Sequence, residues 1–167
     1  MTDAEGPRPI SHVGVSVPDL DRAIEWYGAV LGFRVVTPPA EMHTTDPQLG
    51  AALADMMGSR TRRFRMAHVI SGNGVGLQLF EYLDPPARPA ADPDAYWETG
   101  FFHICVTDPD PETLVQRIVE HGGTASQVWR QIPDAPYAAA YCRDPFGNVI
   151  EINSHGYEET RTFLEQP

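Results

Sequence analysis

The sequence predicts an α+β fold made of two paired βαβββ modules whose sheets together form a mixed-sheet cleft. Three observations predict it. The segments SVPDLDRAIEWYGAVLG and VTDPDPETLVQRIVEHGG match in pattern and punctuation about 90 residues apart, too long a period for a solenoid repeat. The stretches flanking them alternate apolar and polar residues, as strands with one buried face do. A chain of 167 residues that is 42% hydrophobic, with two cysteines, is one globular domain or two small halves sharing a core. A disordered chain and a disulfide scaffold are excluded.

From Ile10 to Val17, residues Val13, Val15 and Val17 fall on one face and His12, Gly14 and Ser16 on the other, which predicts the first strand. Asp19 is placed to cap a helix in which Leu20, Ile24, Tyr27 and Leu31 recur at helical spacing, and Gly32 stops it. A strand over Phe33 to Thr37, a Pro-containing loop and a short helix from Pro47 to Met57 follow. Strands at Thr61 to Ile70 and Val75 to Leu83 are joined at Asn73-Gly74, residues that accept the positive φ of a tight turn.

The second round opens with a strand over Phe101 to Thr107, with Phe102, Ile104 and Val106 facing its helix. Asp110-Pro111 starts that helix, which carries Leu114, Val115, Ile118 and Val119, and Gly122-Gly123 ends it. Ser126 to Gln131, Tyr137 to Arg143 and Val149 to Asn153 complete the module, the last two joined by the turn Asp144-Pro145-Phe146-Gly147-Asn148. The expected organisation is a first module at 9–83, a proline-rich linker at 84–99, a second module at 100–155 and a helical tail at 156–167.

Twelve basic against 23 acidic side chains give a net charge of −11, a surface that repels phosphate backbones. Nucleic acid is therefore excluded as a partner. No run approaches the ~20 apolar residues of a membrane span, and MTDAEGPRP lacks a signal pattern, so a cytoplasmic protein with no membrane partner is expected.

Strand parity selects the residues that can enter the cleft. With Val13, Val15 and Val17 toward the helix, His12 points inward; with Ile104 and Val106 toward theirs, so does His103. Ile150 and Ile152 leave Glu151 inward, and Leu77 and Leu79 leave Gln78, while Glu81 has the wrong parity. Each of these alone is most simply a strand residue. Four at equivalent positions of a duplicated unit form a set: two imidazoles, an amide oxygen and a carboxylate suit one divalent metal ion (Fe, Co, Ni, Mn or Zn) with open positions. The arginines at 60, 62, 63 and 65 read as charges on an exposed strand face, Trp26 and Trp97 as packing residues, and Cys105 as a buried structural thiol sharing a face with His103.

ISHVGVSVPDLDRAIEWYGAVLGF, GVGLQLFEY, GFFHICVTD and YCRDPFGNVIEI resemble the recurring signatures of the vicinal oxygen chelate superfamily, the glyoxalase and bleomycin-resistance fold. The resemblance implies a glyoxalase-like fold, a small-molecule substrate and a homodimer, and its metal ligands match His12, Gln78, His103 and Glu151. Glyoxalase I usually has Glu where this chain has Gln78, whereas Gln there is similar to some epimerases. Metal-free drug binders generally lack the set. Epimerases that the chain resembles carry an acid in the third strand region, where Ser59 to Ile70 has none, so His68 is the nearest substitute and joins Glu151 as a candidate catalytic residue. The expected function is a metal-dependent isomerase or lyase acting on a vicinal-oxygen substrate through an enolate. An Fe(II)-dependent dioxygenase, for which the two histidines and Glu151 would supply the ligands, and a non-enzymatic small-molecule binder are the alternatives.

Overall fold

The computed structural model describes residues 6–130 and 136–164, with side chains of the last helix described as far as Thr162. Contacts divide the chain into two units, 1–88 and 89–167.

The first unit runs β1 (His12–Ser16), α1 (Leu20–Leu31), β2 (Arg34–His43), α2 (Gly50–Met57), β3 (Arg63–Ile70) and β4 (Gly76–Asp84). Its sheet has the order β1-β4-β3-β2, with β1 parallel to β4 and the remaining pairs antiparallel. Helix α1 forms where the punctuation placed it: the Asp19 side chain accepts from Arg22 N, and Gly32 ends the helix at φ 69°, a left-handed conformation that disfavours any side chain. Its buried face, Leu20, Ala23, Trp26, Tyr27 and Val30, packs on Ala67, Val69, Leu77 and Leu79 of the sheet. Those four strand residues share one parity, so Gln78 and His68 take the other face.

Strand β2 is longer than expected. It continues through Pro38 and Pro39 where the sequence predicts a loop, because it is an edge strand with register shifts at Val35/Thr37 and Thr37/Ala40. A proline that cannot donate costs little at such an edge.

The second unit runs β5 (His103–Thr107), α3 (Pro111–Glu120), β6 (Thr124–Ala125), β7 (Ala139–Arg143), β8 (Val149–Asn153) and α4 (Tyr157–Leu164). Its sheet order, β5-β8-β7-β6 with β5 parallel to β8, repeats that of the first unit. The Asp110 side chain caps α3 through Thr113 N, and Leu114 and Ile118 face the buried Ala140, Cys142, Ile150 and Ile152. Gly123 is required by packing, since a Cβ there would stand 2.4 Å from the Arg143 carbonyl oxygen.

Two expectations fail in this unit. In place of the strand expected from Ser126 to Gln131, the strand paired with β7 is Thr124–Ala125, just before it; at Ser126 the backbone N–H still donates to Tyr141 O at 2.8 Å, but the side-chain Oγ takes the Tyr141 N–H at 3.1 Å in place of a ladder carbonyl. Only an isolated bridge from Trp129 to Ala139 follows, and Gln131 lies outside the described residues. Phe102 precedes β5 and is 43% exposed, lying against Tyr96 at 5.1 Å instead of under the helix.

Candidate functional site

The second unit assembles a polar cluster on the sheet face away from α3. Cys105 pairs in register with Glu151, Glu151 with Tyr141, and His103 sits beside Val149, so His103, Cys105, Glu151 and Tyr141 share that face. His103 Nε2 lies 3.0 Å from Glu151 Oε2, both side chains being largely shielded, and His103 Nδ1 is buried with no hydrogen-bond partner. The Tyr141 ring meets the imidazole edge-on at 5.6 Å.

Burial first, then the charge of Glu151 and hydrogen bonding to it, hold the Tyr141 phenol above its usual value. It is therefore a proton donor at neutral pH. The Cys105 thiol is pushed up to about 12, chiefly by the desolvating protein around the sulfur and further by Glu151. Cys105 is solvent-open as a residue rather than buried as the sequence predicts, and its sulfur accepts from Asn153 Nδ2 at 3.1 Å. Asn153 is in turn held by the Tyr137 hydroxyl, which donates to its Oδ1 at 2.9 Å.

The first unit carries the equivalent positions. Gln78 pairs with Gly14 as Glu151 pairs with Cys105, and His68 pairs with Gln78 as Tyr141 pairs with Glu151. His12 stands two residues before Gly14, as His103 stands two before Cys105. The parity of His68, unreadable from the sequence, is thus that of Gln78. The Gln78 amide nitrogen donates to Met66 Sδ at 3.4 Å, which turns its carbonyl oxygen away from that side chain. Gly76 clears room beside the imidazole, since a Cβ there would meet His12 Cβ at 3.0 Å.

Glu81 lies on the helix side, bonded to Arg65 at 2.9 Å and to Leu20 N at 3.4 Å, and so is removed from this face. Arg62 and Arg63 pair with Asp84 and Glu41. Trp26 packs as expected, whereas Trp97 is 79% exposed and packs little. Among the described residues, no three His, Cys, Asp or Glu side chains gather as a metal cluster; what each unit brings onto one face is its pair, His12 with Gln78 and His103 with Glu151. Tyr141 escaped the sequence reading, although register with Glu151 across a predicted hairpin is the signal that would have found it.

Residues 9–152 match the family model of the Glyoxalase/Bleomycin resistance protein/Dioxygenase superfamily, and the chain belongs to that superfamily. A 2-epi-5-epi-valiolone epimerase of Actinomyces sp is 29% identical over 155 residues, 88% of this chain and 79% of the relative. Among solved structures, a glyoxalase family protein from Bacillus cereus superposes with a TM-score of 0.70 at 21% identity, covering 92% of this chain and 97% of that one. A mutant of the fosfomycin resistance protein FosX from Listeria monocytogenes, complexed with Mn(II) and 1S,2S-dihydroxypropylphosphonic acid, gives 0.58 at 10% identity, covering 93% and 99%. These likenesses establish the fold.

Proposed function

We propose that the chain is a metal-dependent epimerase acting on a small substrate with neighbouring carbonyl and hydroxyl oxygens. The observation that carries the reading is the register equivalence of His12, Gln78 and His68 with His103, Glu151 and Tyr141. The named epimerase relative supports the reaction class.

The donor set fits a divalent ion. His103 Nε2 and Glu151 Oε2, an ion pair at 3.0 Å on one face, are donor types that such an ion takes. His12, Gln78, His103 and Glu151 would hold the ion, whose positive charge, when bound, polarises a carbonyl and acidifies the adjacent C–H. With one carboxylate among four ligands the site keeps a formal charge of +1, which favours a substrate oxygen that becomes anionic.

Epimerisation removes a proton from one side of a carbon and returns one to the other. The duplicated position supplies a proton-carrying group in each unit. His68 is the base, an imidazole ring nitrogen being a proton acceptor. Tyr141, its phenol held above its usual value and so protonated at neutral pH, returns one, and its register partner Glu151 serves as ligand. Gln78 has no proton chemistry of its own and keeps the site cationic.

The test is proton exchange in D2O with 2-hydroxycyclohexanone and metal-loaded protein, followed by NMR. The expected result is loss of the C–H signal beside the carbonyl, stopped by a chelator and slowed at least tenfold in His68→Ala. Oxygen uptake with the C–H signal retained would overturn the reading in favour of dioxygenase chemistry.

A further inference from the structure

On the same face as Glu151, the second unit has a cavity of about 190 Å³. It lies between the sheet residues Tyr141, Arg143 and Val149, Ser126 beyond them, and Tyr96 from the segment preceding β5. Tyr96 reaches it because Arg143 clamps its segment. The guanidinium Nη2 donates to Pro93 O at 2.9 Å, to Asp94 Oδ1 at 2.7 Å and to the Tyr96 hydroxyl, while Nη1 donates to Gly147 O at 2.9 Å. Tyr96 then lies against Phe102, whose ring meets His103 edge-on at 4.3 Å.

We infer that this cavity takes the hydroxyl-bearing part of a neutral, polyhydroxylated ring ketone, with Arg143 as the positioning residue that sets Tyr96 as its wall. The inference rests on the epimerase reading and deepens it by naming the substrate class. A volume above the ~150 Å³ that accommodates a six-membered ring fits the size. The polar inventory fits the chemistry. Because the Tyr96 oxygen accepts from Arg143, its own proton is left to donate, whereas the Tyr141 hydroxyl, which also lines the cavity, presents oxygen lone pairs. A wall with both a donor and an acceptor matches hydroxyl groups. It does not match a phosphonate or carboxylate, which only accepts, and the Arg143 charge is already met by Asp94.

The experiment measures calorimetric binding of two probes with the same ring and the same neighbouring oxygens, 2-keto-myo-inositol and 2-hydroxycyclohexanone, to the full chain with and without metal. The wild type is expected to bind the polyhydroxylated probe at least tenfold more tightly. Arg143→Gln and Tyr96→Phe, the latter keeping the ring and so guarding against misfolding, are expected to cut that preference ~3-fold to 10-fold, the range of one or two hydrogen bonds, while leaving 2-hydroxycyclohexanone unchanged. Equal affinity for the two probes in the wild type, or a preference unaffected by both variants, would overturn the inference. Failure of the epimerase reading shows separately, as absent metal and absent proton exchange with the hydroxyl preference intact in the chelated protein.

Discussion

Cys105 offers a chemical probe of the face on which Glu151 lies. With its thiol pushed up to about 12, only about one molecule in 10⁴ is thiolate at pH 8, against roughly a quarter for an ordinary thiol near 8.5. A more basic thiolate attacks faster, with a Brønsted slope of about 0.4–0.5, which returns roughly 1.6 of the 3.4 lost log units. The balance is a reaction roughly 10²-fold slower than that of an unfolded control. The assay is labelling of metal-free protein by dithiodipyridine, mapped by mass spectrometry to separate Cys105 from the buried Cys142. Glu151→Gln removes the second cause of the shift and is expected to accelerate labelling, though burial still holds the rate below the control. The folded thiol keeps its proton more tightly than the unfolded one. Its contribution to stability is therefore complete below about pH 8.5 and is lost as pH rises toward 12. Labelling of Cys105 at the control rate, or a rate indifferent to Glu151→Gln, would refute the placement of thiol and carboxylate side by side.

Further outcomes follow from the same structure. Gln78→Glu is expected to retain metal at least as well and to weaken acetohydroxamate binding by about 1 to 3 kcal/mol, because the formal charge falls from +1 to 0; calorimetry of the metal-loaded proteins reads it, and equal binding would remove the charge argument. Leu79, fully buried under α1, should cost about 2–5 kcal/mol on replacement by Ala in urea unfolding. Tyr137→Phe removes the bond that orients Asn153 and should cost about 1 kcal/mol. A homodimer of about 37 kDa, twice the 18.5 kDa chain, is expected by sedimentation, and a strictly monomeric result at high concentration would remove that proposal.

Much of this architecture is legible locally. The Asp19 cap, the Leu20, Tyr27 and Leu31 spacing and the Gly32 stop define α1 without reference to anything distant, and the alternation at Val149 to Asn153 gives β8 without adjustment. What the sequence hides depends on pairing. Pro38 and Pro39 read as a loop until β2 is known to be an edge. Ser126 reads as a strand residue until its hydroxyl is seen to replace a ladder bond. The site divides in the same way: Gln78 and Glu151 follow from parity within their own strands, whereas the facing of His68 and Tyr141 is set by antiparallel register with a neighbour. Trp97, read as a packing residue, is 79% exposed; it follows directly on the stretch that Arg143 holds through Pro93, Asp94 and Tyr96.

Metal content tests most directly the proposal that His12, Gln78, His103 and Glu151 are ligands of one ion. Protein purified without added metal, analysed for its elements, is predicted to hold about one divalent ion per chain. His12→Ala and Glu151→Ala are each predicted to lose most of it while retaining the wild-type circular dichroism, with Gln78→Ala milder because water can replace a neutral oxygen. Near-stoichiometric metal in Glu151→Ala would contradict the account.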